Sequence, residues 1–141
     1  MNGRRVLYIG APYFNYYRFI RDELANQGYV VTYYNDFPNN SALLKGIAKL
    51  RRSSLRSRVH RHITSIIERH RDEPIDLVLV VSSQVLDADD LRALRTAFPQ
   101  AAFVSYMWDA LRVYPQYVPM MSLYDRVYSF DPEDCEDYSE L

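Results

Sequence analysis

The chain has 141 residues, 48% hydrophobic and 25% charged, with a 14% aromatic share supplied mostly by thirteen tyrosines. That length and composition fit one globular domain and exclude a disordered chain. A single cysteine, Cys135, excludes an internal disulfide, no Cys/His spacing matches a zinc site, and no apolar run approaches the ~20 residues of a membrane span. The net charge of −1 hides an asymmetry. Lys or Arg stand at positions 45, 49, 51, 52, 56, 58, 61, 69 and 71 against one acid there, Glu68, whereas the stretch from Asp131 to Leu141 is acidic and has no base.

Arg4-Arg-Val-Leu-Tyr-Ile-Gly10 reads as a buried strand, its apolar run too short for a secretory leader, so the chain is expected in the cytoplasm. Residues 16–27 place Tyr16, Phe19, Ile20 and Leu24 at helical spacing, and Gly28 ends that helix. Tyr29 to Tyr34 gives a second strand. Ser41 is positioned to cap a long helix whose apolar positions run from Leu43, Ile47 and Leu50 through Leu55, Val59 and Ile63 to Ile66 and Ile67, with arginines around them. Asp76 to Ser82 is the clearest buried strand, Asp87 to Phe98 an amphipathic helix stopped by Pro99, and Ala101 to Met107 a fourth strand. Residues 114–123 form a short helix and Arg126 to Phe130 a fifth strand, before Asp131-Pro132 opens a last helix. The alternation predicts a three-layer α/β/α Rossmann-like domain spanning residues 1–141. Its five-stranded parallel sheet is expected in the order 3-2-1-4-5.

In such sheets ligands bind at the carboxyl ends of the strands, which singles out Gly10, Tyr13, Phe14, Ser82, Ser83, Trp108, Asp109, Arg112 and Asp131. The first loop lacks the dinucleotide fingerprint and the P-loop, and it lacks the acidic pair of a receiver domain. Gly10 allows close backbone approach, and Tyr13 and Phe14 either stack on a sugar or lipid or simply cover the sheet edge. Asp109 is the carboxylate best placed to act as a general base, the alternative being a capping role or a pair with Arg112. Trp108 is either core or platform, and Asp131 reads most simply as a helix cap. Ser82 and Ser83 lack the setting of a nucleophilic serine. His60, His62 and His70 stand among arginines, and neither metal nor cofactor is expected. The basic helix with Arg51, Arg52, Arg56, Arg58 and Arg61 either meets an anionic membrane or a protein partner or is a solvated face. Nucleic acid has no support.

The strings VLYIGAPYF, FVSYMWDALR and YDRVYSFDPEDC resemble the amino-terminal half of CgeB-like and lipopolysaccharide-biosynthesis glycosyltransferases of the GT-B fold. The resemblance implies the acceptor-side domain of a bacterial polysaccharide or glycolipid transferase; a membrane contact by the basic helix would make the chain peripheral at the inner membrane face. Trp108, Asp109 and Arg112 would line a cleft for a sugar or glycolipid acceptor. A nucleotide-sugar donor would bind only with a second domain, so this chain alone would be catalytically incompetent. The other reading is a non-catalytic Rossmann-like binding or interaction module.

Overall fold

Two apolar runs make the centre of the sheet. Arg5–Gly10 (β1) and Leu77–Val81 (β3) pair in parallel, Val6 opposite Leu77 and Gly10 opposite Val81. Successive apolar side chains on both strands let each be covered on both faces. Val30–Asn35 (β2) flanks β1, and Ala102–Met107 (β4) and Arg126–Ser129 (β5) follow beyond β3. This computed structural model describes residues 3–38 and 52–138. The expected positions of Ser41, Leu43, Ile47, Leu50 and Arg51, and the side chain of Arg52, lie outside what is described.

The three-layer fold with a five-stranded parallel sheet is as the sequence predicts, but the order is 2-1-3-4-5 and not 3-2-1-4-5. The reason is legible in the strands. The expected order would have placed β3, a run of five aliphatic residues, at the edge. In the fold β3 is central and the edge falls to β2, whose Thr32, Tyr33, Tyr34 and Asn35 carry polar groups that tolerate half-burial.

The helix Tyr16–Asn26 (α1) covers one face, where Tyr17, Ile20 and Leu24 pack over Val6, Tyr8 and Val81. Gly28, at φ +89°, supplies the left-handed residue that ends it. Helix α1 has no fully buried residue, and its expected apolar face splits: Tyr16 and Phe19 point to solvent. On the opposite face the helix Arg52–His70 (α2) brings Val59, Ile63 and Ile66 onto the larger core. The helix Ala88–Ala97 (α3) brings Leu91 and Leu94 there, and a 3-10 helix over Pro115–Leu123 adds Tyr117, Met120 and Met121. Asp87 caps α3, accepting from the N–H groups of Asp89 and Asp90, while Asp90 reaches back to the Asp87 N–H. The short helix Pro132–Asp137 (α4) is capped by Asp131, and Tyr138 after it packs on the larger core. Among the described residues no helix is long and apolar enough to cross a membrane.

Candidate functional site

Strand order reverses between β1 and β3, so the crevice of this sheet lies at the carboxyl ends of those two strands. Gly10 closes β1 because nothing larger fits: a Cβ there would stand 2.8 Å from the Val81 carbonyl oxygen. The Tyr33 hydroxyl, reaching over from β2, donates to the Gly10 carbonyl at 2.8 Å. Among the described residues three non-glycine positions have positive φ, namely Phe14 at 49°, Asn15 at 60° and Ser82 at 45°. All three sit in the loops after β1 and β3. Such backbone costs ~1 kcal/mol or more per residue, and it concentrates where a fold shapes a functional edge.

Several predicted residues are held by one another. The buried Ser82 hydroxyl accepts from the Trp108 N–H at 2.7 Å, tying the β3 loop to the end of β4. The Ser83 hydroxyl, also buried, accepts from the Leu86 N–H at 3.3 Å in the turn before α3. Arg112 turns away from Asp109 and pairs with Asp131 at 2.7 Å and Glu133 at 3.1 Å. Asp131 also accepts from the Glu133 N–H, so its capping reading is the one the structure displays.

A second group gathers around Tyr13. Burial, followed by the nearby Asp36, Tyr114 and Asp109, pushes its hydroxyl above the usual tyrosine value. The Tyr114 hydroxyl, raised by burial and by Asp109, accepts from the Gln84 side-chain amide at 2.6 Å. Asp109 itself is exposed, and among the described residues no donor reaches its carboxylate. Gln84 stands in the post-strand loop the sequence points to, but Tyr114 and Asp36 escaped the sequence reading because their meeting depends on strand order. Asp134 escaped it too. On the buried side of α4, it accepts from the Leu111 N–H at 3.1 Å and from the Ser129 hydroxyl, joining the β4 and β5 loops. In sequence it looked like one more acid in a helix's first turn.

Trp108 is half-buried, its ring edge-on to Tyr16 at 5.7 Å and to Tyr106 at 6.3 Å. It closes the smaller core rather than standing out as a platform. Of the predicted basic face, Arg56 pairs with Asp87 at 2.7 Å and Asp89 at 2.8 Å, while Arg58 and Arg61 are exposed. The histidines bind locally: His60 meets Asp90 at 3.0 Å, His62 the Asn35 carbonyl at 2.7 Å, and His70 the Tyr34 hydroxyl at 2.8 Å.

No protein-family model matches the chain, and no curated protein matches it in sequence. Solved structures do share its fold. One is a response regulator protein from Burkholderia pseudomallei with a phosphorylated aspartic acid, calcium ion and citrate. It is 11% identical with a TM-score of 0.54, over 98% of this chain but only 66% of that one. Another is the signal receiver domain of an HD domain-containing protein from Pseudomonas fluorescens Pf-5, 12% identical with a TM-score of 0.53, covering 94% of this chain and 87% of that one. A third is a response regulator from Thermotoga maritima, 11% identical with a TM-score of 0.51, over 90% and 85% of the two chains. At these identities the likeness is one of fold.

These neighbours overturn the glycosyltransferase reading. They are response regulators and a receiver domain, not halves of GT-B enzymes, and the sheet order agrees with the flavodoxin-like class and not with the order expected. The acceptor-side assignment falls with it, together with the polysaccharide and lipopolysaccharide context, the sugar or glycolipid acceptor, the nucleotide-sugar donor and the anionic membrane as partners. The exclusion of a receiver-like domain also went too far. The missing acidic pair speaks to chemistry, and the fold is present without it.

Proposed function

We propose that this chain is a non-catalytic interaction module, a receiver-like scaffold that works by binding a protein partner. The observation that carries the reading is the composition of the crevice between β1 and β3. A phosphorylated aspartate beside a calcium ion, as in the Burkholderia structure, needs several carboxylate oxygens converging on one point. Here β1 runs into Gly10-Ala11-Pro12 and β3 into Ser82-Ser83, and both serine hydroxyls are occupied by backbone N–H groups. Among the described residues no three His, Cys, Asp or Glu side chains group closely enough to hold a metal ion. Arg112, the one cation predicted for this edge, is spent on Asp131 and Glu133. The second neighbour is described as one domain of an HD domain-containing protein, which is the setting of a module.

The test is direct phosphorylation. The purified chain, incubated with acetyl phosphate and magnesium and weighed intact, is expected to gain no phosphoryl group. A stable, acid-resistant and hydroxylamine-labile adduct on an aspartate would overturn the reading.

A further inference from the structure

The face of the sheet that α1 covers is only half closed. Helix α1 packs over β1, β2 and β3, and among the described residues nothing packs over β4 and β5 on that side. The chain after β5 turns the other way, since Tyr138 joins the larger core on the opposite face. What the open half presents is aromatic. Tyr106 lies beside Tyr128 in register, Phe130 follows two residues on, and all three are exposed, at 36%, 55% and 58%. The rings of Tyr106, Trp108, Tyr16 and Phe19 continue this surface up the flank of α1 in steps of 5.7–6.5 Å. Phe14, 86% exposed on strained backbone, closes it at 6.1 Å from Tyr16.

We infer that this face is a two-fold interface with a second copy of the chain, an inference that rests on the reading of the chain as an interaction module. Two observations favour a second copy as the occupant. The first is area. Aromatic side chains present about 150–250 Å² each, so the exposed fractions amount to roughly 600–800 Å², above the ~300–600 Å² of the largest patch on an ordinary monomer and near the ~800 Å² per partner of a standard interface. The second is charge. Exposed Arg126 marks the amino end of the patch on the same strand face as Tyr128, while exposed Asp109 stands at its carboxyl end, beyond β4. A two-fold axis lying over Tyr128, parallel to the sheet and perpendicular to its strands, stacks the two faces with their strands antiparallel. Each Arg126 then faces the acidic end of the other copy, the self-complementarity that an isologous interface requires.

Sedimentation velocity of the full chain over about 1–100 μM is expected to show a monomer–dimer equilibrium with a micromolar constant. The double variant Tyr128→Glu, Phe130→Glu, with unchanged far-UV circular dichroism, should remain monomeric throughout. Arg126→Glu touches only an exposed side chain, and should raise the dissociation constant about tenfold at low salt, less at high salt. A wild-type chain that stays monomeric overturns the inference, as does a dimer whose constant neither substitution changes. The outcomes separate from those of the phosphorylation test: an aspartyl adduct would sink the functional reading and leave the interface standing, and a monomer would do the reverse.

Discussion

Ser82 holds the site together through a single hydroxyl, and it does so on a backbone that serine adopts reluctantly. At φ 45° it positions Oγ to accept from the Trp108 N–H at 2.7 Å. Two opposed effects are therefore separable by substitution. Ser82→Ala keeps the strain and leaves a half-buried N–H without its acceptor, which should cost about 1 kcal/mol in denaturant unfolding. Ser82→Gly loses the same bond but relieves the backbone by about 1 kcal/mol, so it should be the milder of the two. Both variants lose the same bond, so an order of stability with glycine below alanine would mean that the strain had been misjudged. Sequence could not show this: Ser82 was singled out only because it follows a strand, and both its φ and its partner emerge once β4 lies beside β3. Asp131 was more legible, because a cap followed by proline is a local signal that needs no tertiary knowledge. Asp109 was chosen for the same positional reason as Ser82, and it is exposed at the sheet edge beside Tyr13 and Tyr114.

Among the elements, α3 shows how a local signal and a tertiary one share residues. Its Asp87 cap accepts two backbone N–H groups and also receives Arg56 from α2 at 2.7 Å. Asp87→Ala should destabilise the fold by about 1 kcal/mol through the lost cap, with only a small further part from the exposed ion pair. Arg56→Gln should cost clearly less than Asp87→Ala in the same unfolding experiment. Equal costs would transfer the main role to the pair. The strands and most α-helices were readable from hydrophobic period and caps, whereas the 3-10 helices Tyr13–Asn15 and Leu111–Val113 were not predicted. What period alone missed was the division of labour on α1, where Tyr17, not Tyr16 or Phe19, enters the core by stacking on Tyr33 at 4.1 Å. The three strings that suggested a transferase misled for a related reason. Each is a buried strand, a turn and the residues that organise that turn or cap the next helix, and unrelated parallel sheets need the same grammar.

At the scale of the whole molecule, acid stability hinges on carboxylates that join distant parts of the chain. Asp125 accepts from the Phe103 N–H at 2.7 Å and pairs with Arg95 at 3.1 Å, linking β4, the start of β5 and α3. The Arg95 bond, then the Phe103 N–H, hold its carboxyl below the usual aspartate range. Its contribution is therefore complete above the unfolded-state pKa of ~3.9 and is lost as pH falls through the lower folded value. Asp125→Asn should lower the melting temperature at pH 7 and show a shallower further drop below about pH 4 than the parent chain. An identical acid profile in both proteins would refute that assignment. Fold class was legible from the alternation of elements, but strand order required weighing which strand best tolerates an edge. The half-open sheet has a spectroscopic corollary. Trp108 is the only indole in the chain and sits where the smaller core meets the aromatic face, within 5.7 Å of Tyr16 and 6.3 Å of Tyr106. Its emission is thus a built-in gauge of wetting at that seam: excitation of the tyrosines feeds it, and covering the face with a second chain shifts it to the blue without any label being added.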